Sequence, residues 1–231
     1  MNNHQFTAEQ IQVEQANFIT KVYSWMTGAL ILTGLVAMWV AASPQLVNMF
    51  IGNRFMFFGL IIAEFLCVGY LAVAIKKMSA QTAVMVFLSY AALNGLTFSV
   101  IFLIYTTASI AMTFFITAGT FGLMSIYGYY TKKDLTSLGN LAFMALIGLI
   151  IASVVNMFMQ SSLMYWITTY AGILIFIALT AYDTQKIKNM NIIGNEGTDE
   201  DKKEAIMGAL TLYLDFINLF LFLLRIFGKR K

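Results

Sequence analysis

The chain has 231 residues, of which 60% are hydrophobic and only 11% charged, and its net charge is +3. Soluble domains carry roughly 25% charged residues, so the chain has too little charge to wrap a soluble core, and its composition is that of an all-α membrane protein. One cysteine, Cys67, and one histidine, His4, leave zinc hydrolysis, Cys–His and Ser–His–Asp mechanisms without a required partner, so neither an enzyme nor a cofactor is expected.

In chain order, residues 1–20 are polar and contain no Lys or Arg. A secretory signal would begin with a basic region followed by an apolar one, so this stretch reads as a cytoplasmic N-terminal tail, ahead of a single seven-helix transmembrane domain over 21–231. A crossing helix needs about 20 apolar residues, and seven segments qualify: 22–43, 55–75, 79–104, 109–130, 138–159, 164–183 and 204–227. Ser43-Pro44 ends the first, at the only proline. The second contains Glu64, a buried carboxyl that reads either as a protonated structural acid or as part of an ion pathway, and Lys76 and Lys77 follow it. Asn94 and Asn156, in the third and fifth spans, are expected to make interhelical hydrogen bonds, and the Thr113, Thr117, Thr120 and Tyr127 stripe of the fourth reads as interhelical packing. The sixth span ends at Asp183, and the long loop 184–203 is plainly aqueous.

The seventh span carries Glu204, Gly208, Thr211, Asp215, Asn218, Phe222 and Arg225 at intervals of four and three. At a helical period these share one face roughly 100° wide. Such a stripe needs protein or water beside it, which places the C-terminal helix near the centre of the bundle. Asp183 and Asp215 enter the membrane from the same side, on consecutive helices. If the sixth helix continues to about Lys188, the two acids can meet and share a proton. The alternatives are an interfacial Asp183 that caps or snorkels at a helix end, and an Asp215 bonded to Asn218 or Thr211 for packing alone.

Nine lysines (Lys21, Lys76, Lys77, Lys132, Lys133, Lys186, Lys188, Lys202 and Lys203) gather on one side of the seven spans, against Arg54 alone in the loops of the other. The positive-inside rule makes the first side cytoplasmic. These short clusters are topology signals, not a nucleic-acid footprint. The C-terminal GKRK resists the rule, because seven full spans put it outside; a re-entrant last segment would bring it back. Seven spans are expected.

The stretches VYSWMTGALILTG (22–34), MSIYGYYTKKDL (124–135), LTAYDTQKIKNM (179–190) and GALTLYLDFINLFLFLLRIFG (208–228) resemble the transmembrane Bax inhibitor-1 motif family, in its bacterial inner-membrane branch. The resemblance implies a seven-helix bundle whose last helix is central. It also implies an aspartate pair, matching Asp183 and Asp215, that senses pH and gates a calcium leak. A glutamate of the family's second helix matches Glu64. An arginine that engages the pair in the family is absent here: the position reads IKKM, so only Lys76 or Lys77 could serve as the basic latch. Bacterial relatives are linked to a membrane quality-control protease, and eukaryotic ones to cell death.

The expected function is a pH-sensitive cation leak in a bacterial inner membrane. Calcium would be held transiently at Asp183 and Asp215, with Glu64, Thr211 and Asn218 along the path. A proton-coupled transporter using the same acids remains open, as does a non-transporting regulatory partner of a membrane protease that uses the tail and the 184–203 loop. The topology is checked by thiol labelling in a Cys67-free background. A cysteine in the 184–203 loop reacts only from the cytoplasm, and one added after Lys231 only from the opposite side; cytoplasmic labelling of both rejects seven full crossings.

Overall fold

A computed structural model describes residues 7–231, nearly all of them helical. Thr7 opens α1 (Ala8–Ala41) with a capping box, its hydroxyl accepting from the Gln10 amide at 3.2 Å while the Gln10 side chain accepts from the Thr7 amide at 2.9 Å. Pro44 starts the four-residue α2 (Pro44–Val47), which runs into a π turn, Asn48–Gly52. Asn53 then caps α3 (Arg54–Ala74), accepting from the amides of Phe55 and Met56. The remaining helices are α4 (Ala80–Ile104), α5 (Thr107–Tyr130), α6 (Thr136–Met159), α7 (Ser162–Met190) and α8 (Asp199–Phe227).

Seven of these helices are long and apolar enough to cross a membrane. Their outward residues confirm the solvent they are built for. Phe55 is 90%, Val73 84% and Phe158 77% exposed, and so much exposed apolar surface is stable only against lipid. The last helix differs: 67% of the apolar window of α8 is buried, against 11% for α3 and α6. The expected all-helical fold with seven membrane-compatible helices is what the chain forms, and α8 is the most buried of the seven.

Several boundaries move. Residues 8–20, read as part of a polar tail, are the first turns of α1; residues 1–6, with His4, lie outside the described residues. The aqueous loop shrinks to 191–198, because α7 continues to Met190 and α8 begins at Asp199. The acidic first turn of α8, Asp199, Glu200 and Asp201, complements the positive end of the helix dipole and so extends the helix into water. Asn94 and Asn156 do not bond between helices. Asn94 Nδ2 donates to the Tyr90 carbonyl one turn back, and Asn156 Oδ1 accepts from the Ser161 amide, closing the end of α6.

The chain divides into two compact units, Met1–Ile101 with Ile187–Tyr213, and Phe102–Lys186 with Leu214–Lys231. In the first, the core gathers on Tyr213. Its ring meets those of Phe87 and Tyr90 edge-on, and its hydroxyl lies 2.8 Å from that of Thr33. Thr33 in turn donates to backbone, so the tyrosine is the donor between them. At the polar end of this unit, Lys21 pairs with the buried Asp201 at 2.6 Å, and Glu14 accepts from the Gly194 amide at 2.7 Å.

The second unit is organised by close approaches. Gly128 of α5 lies against the Ala181 carbonyl of α7, and Gly139 of α6 lies under the Tyr182 ring. Phe216 of α8 sits 5.4 Å, centroid to centroid, from both Phe114 and Phe121 of α5. The C-terminal tail closes on the link between α4 and α5. Thr106 donates to the Lys229 carbonyl, Lys231 donates from its backbone to Ile104 and from its ammonium to Phe102, and Tyr105 bridges Arg230. α8 runs unbroken for 29 residues without a re-entrant turn.

Gly128 supports a direct test. A Cβ there would strike the backbone of α7, whereas one at Gly122 on the same helix meets nothing within 4 Å. Gly128→Ala should destabilise the protein by about 1–3 kcal/mol, as overpacking does, and Gly122→Ala should leave it unchanged or raise it. Thermal unfolding in detergent decides, and equal midpoints for the two variants refute the close approach.

Candidate functional site

The AYDTQ segment (181–185) of α7 is placed residue by residue. Ala181 packs on Gly128 and Tyr182 covers Gly139. Gln185 uses both ends of its amide on the α5–α6 link: its Nε2 donates to the Lys133 carbonyl and its Oε1 accepts from the Leu135 amide, both at 2.8 Å. Asp183, held between these anchors, is buried at 8% exposure. In the same link, Asp134 accepts from the Thr136 amide, and its hydrogen bonds to the Thr136 side chain and backbone hold its carboxyl below the usual range.

Asp215, at 5% exposure, comes from α8. Its carboxyl and that of Asp183 lie within hydrogen-bonding reach of each other. The continuation of α7 beyond Lys188 supplies the geometry that their meeting requires. Asp215 Oδ2 is buried and has no N–H or O–H donor. Three other buried polar atoms among the described residues also lack a hydrogen-bond partner (Ser125 Oγ, Asn191 Nδ2 and Asn195 Oδ1), and none of them belongs to an acid. Lys186, one turn from Asp183, is the basic group that acts on it electrostatically; its ammonium also lies 5.8 Å from the Tyr182 ring centroid.

The other expected residues lie elsewhere. Thr211 donates to the Met207 carbonyl at 3.1 Å and Asn218 to the Leu214 carbonyl at 2.8 Å, so each is satisfied by α8 itself and neither is bonded to Asp215. Glu64 belongs to the first unit and accepts from the Thr97 hydroxyl at 2.8 Å. Lys76 and Lys77 also belong to that unit, whereas Asp183 and Asp215 are in the second; Lys76 lines a separate cavity. Gln185, Gly128, Gly139 and Thr97 were not singled out in the sequence, and Lys186 was read only as one of the lysines that mark a membrane side. Gln185 had a signal, since it closes the same short motif as Asp183; Thr97 had none, because threonines are common throughout these spans.

The family model described as inhibitor of apoptosis-promoting Bax1 matches residues 15–231. Among similar proteins, the inner membrane protein YbhL of Escherichia coli K12 is 52% identical over 215 residues, covering 93% of this chain and 92% of that protein. Protein RP147 of Rickettsia prowazekii is 48% identical over 219 residues, covering 93% and 90%. A Borreliella burgdorferi protein is 42% identical over 214 residues, covering 93% and 92%.

The Glu64–Thr97 contact is tested by asymmetric substitution. Glu64→Gln keeps an oxygen to accept from Thr97 and should change stability by less than about 0.5 kcal/mol, while Thr97→Val strips the donor and should cost about 1–2 kcal/mol. A large loss in Glu64→Gln, measured by thermal unfolding in detergent, would mean that the charged carboxylate is what the site requires.

Proposed function

We propose a function from one premise: the chain belongs to the Bax inhibitor-1 family of membrane proteins. On that premise it is a pH-sensitive cation leak for calcium, gated by Asp183 and Asp215. The observation that carries this reading is the buried Asp215 Oδ2, which has no protein donor, beside a second buried carboxyl within hydrogen-bonding reach. Two ionised carboxylates in contact repel, and each can only accept hydrogen bonds. One proton held between them converts that repulsion into a charge-assisted bond. Loss of the proton restores the repulsion, which drives α7 and α8 apart at this point or draws in a cation. Lys186 is the nearby charge that biases the step.

Calcium takes about six to eight oxygen ligands. Two carboxylates are too few for a resident site, which suits an ion that passes through. The inner-membrane name of the Escherichia coli relative supports placement in a bacterial inner membrane. The lysine distribution supports a cytoplasmic N-terminus. A second reading, a regulatory partner of a membrane protease with no transport, is favoured by one feature: the first turns of α1 are tied to the 191–198 loop through Glu14, forming one polar surface.

Calcium entry into liposomes containing the purified protein, followed with an internal dye over about pH 5 to 8, tests these readings. The wild type should show a flux that steps with pH. Asp183→Asn and Asp215→Asn should each abolish the step, and the double variant should match either single one, because paired groups are non-additive. Unchanged pH profiles or simply additive effects refute the shared-proton gate. Saturating flux with fixed proton exchange identifies a transporter, and absence of any flux leaves the regulatory reading.

A further inference from the structure

At the polar end of the first unit lies a cavity of about 520 Å³, lined by Ile75, Lys76, Met190, Ile192, Glu200, Lys203, Glu204 and Met207. Glu200, Lys203, Glu204 and Met207 follow the i, i+3, i+4, i+7 spacing of one face of α8. Ile75 and Lys76 come directly after α3, and Met190 is the last residue of α7. The cavity thus sits where spanning helices end, at the level of lipid headgroups and the first methylenes of the acyl chains.

Two features of this lining are unexplained by the fold. Its charges do not neutralise one another: among the described residues the salt bridges are those of Lys21, so Lys76, Lys203, Glu200 and Glu204 stand apart although two of each sign share one cavity. Among the described residues, Glu204 accepts from Asn195 Nδ2 at 3.3 Å. Ile192, in the 191–198 loop, is 57% exposed, and Met190, two residues before it, is 36% exposed.

We propose that this cavity binds the headgroup of an ethanolamine phospholipid: Lys76 and Lys203 hold the phosphate, Glu200 and Glu204 hold the ammonium, and Ile75, Met190, Ile192 and Met207 cover the glycerol and first methylenes. The lining carries two positive and two negative side chains, which matches a zwitterion and opposes an anionic lipid, whose headgroup would gain two lysines but meet two carboxylates. A primary ammonium donates N–H bonds to carboxylates, which a quaternary choline cannot do. Choline is instead recognised by aromatic cages, and among the described residues that line this cavity none is aromatic.

Native mass spectrometry of the full chain in detergent, offered phospholipids with identical acyl chains and ethanolamine, choline or glycerol headgroups, tests the assignment. The ethanolamine lipid should be retained about tenfold more than either of the others, as expected for charge-assisted bonds. Lys76→Gln/Lys203→Gln removes the phosphate contact that all three lipids share and should lower retention of each, with ethanolamine still preferred to choline. Glu200→Gln/Glu204→Gln leaves two lysines unopposed and should invert the preference toward the glycerol lipid. These positions are exposed or half-buried, and the single variant Glu200→Gln supplies the same readout in weaker form should a double variant fail to fold. Equal retention of the three lipids, a wild-type preference for the anionic one, or an ethanolamine preference that survives Glu200→Gln/Glu204→Gln overturns the proposal. So does displacement of the lipid by soluble phosphoethanolamine at equal concentration, which would show that the acyl side contributes nothing.

Discussion

A chain surrounded by hydrocarbon has no water for its buried polar groups, so each donor and acceptor must find its partner within the protein. Hydroxyl and amide side chains here meet that demand with the carbonyl one turn back. Thr113, Thr117, Thr180 and Thr211 do so, and Asn94 and Asn218 do the same through Nδ2. That solution costs no neighbouring helix anything. It is closed to an ionised carboxylate, which has no proton to give and can only accept. An acid in mid-helix must be brought to a donor, and a second acid carrying a proton is one such donor. Asp215, buried beside Asp183, is an acid on which this restriction falls.

The precision of the pair depends on anchors that carry no charge. Small residues let backbones approach, as at Gly128 against Ala181, and a flat ring fills the space over Gly139. The two-ended amide bonding of Gln185 fixes the register of α7 against the α5–α6 link. Each anchor lies within a few residues of Asp183, so small errors in helix position are not magnified at the carboxyl. The aromatic contacts of Phe216 with Phe114 and Phe121 hold the α8 side in the same way, one residue from Asp215.

At the ends of the helices the demand is different, because water competes for every charge. There the chain makes few but well-placed ion contacts. Lys21 meets Asp201 where the carboxylate is only 1% exposed, and the same carboxylate accepts from the Gly197 amide. The C-terminal basic tail is engaged by the carbonyls of Phe102 and Ile104.

The sequence by itself determined the helical class, the number of membrane-compatible helices and which acids lie inside apolar helices. These follow from local quantities: runs of about 20 apolar residues, a lysine count on each side, and acids inside apolar helices. The family was legible in AYDTQ and LYLDFINLF for the same reason, since short motifs record local demands. Tertiary structure alone decided which polar residues face which partners. Thr211 and Asn218 share the face of Asp215 in sequence, yet they turn to their own backbone. Glu64 finds Thr97, 33 residues away. Lys76 and Lys77 fall in a different unit from the aspartates, while Lys186 lies beside Asp183. A helical period says which side chains share a face; it cannot say which neighbouring helix supplies the partner, because that depends on close approaches set by glycines and rings far apart in the chain.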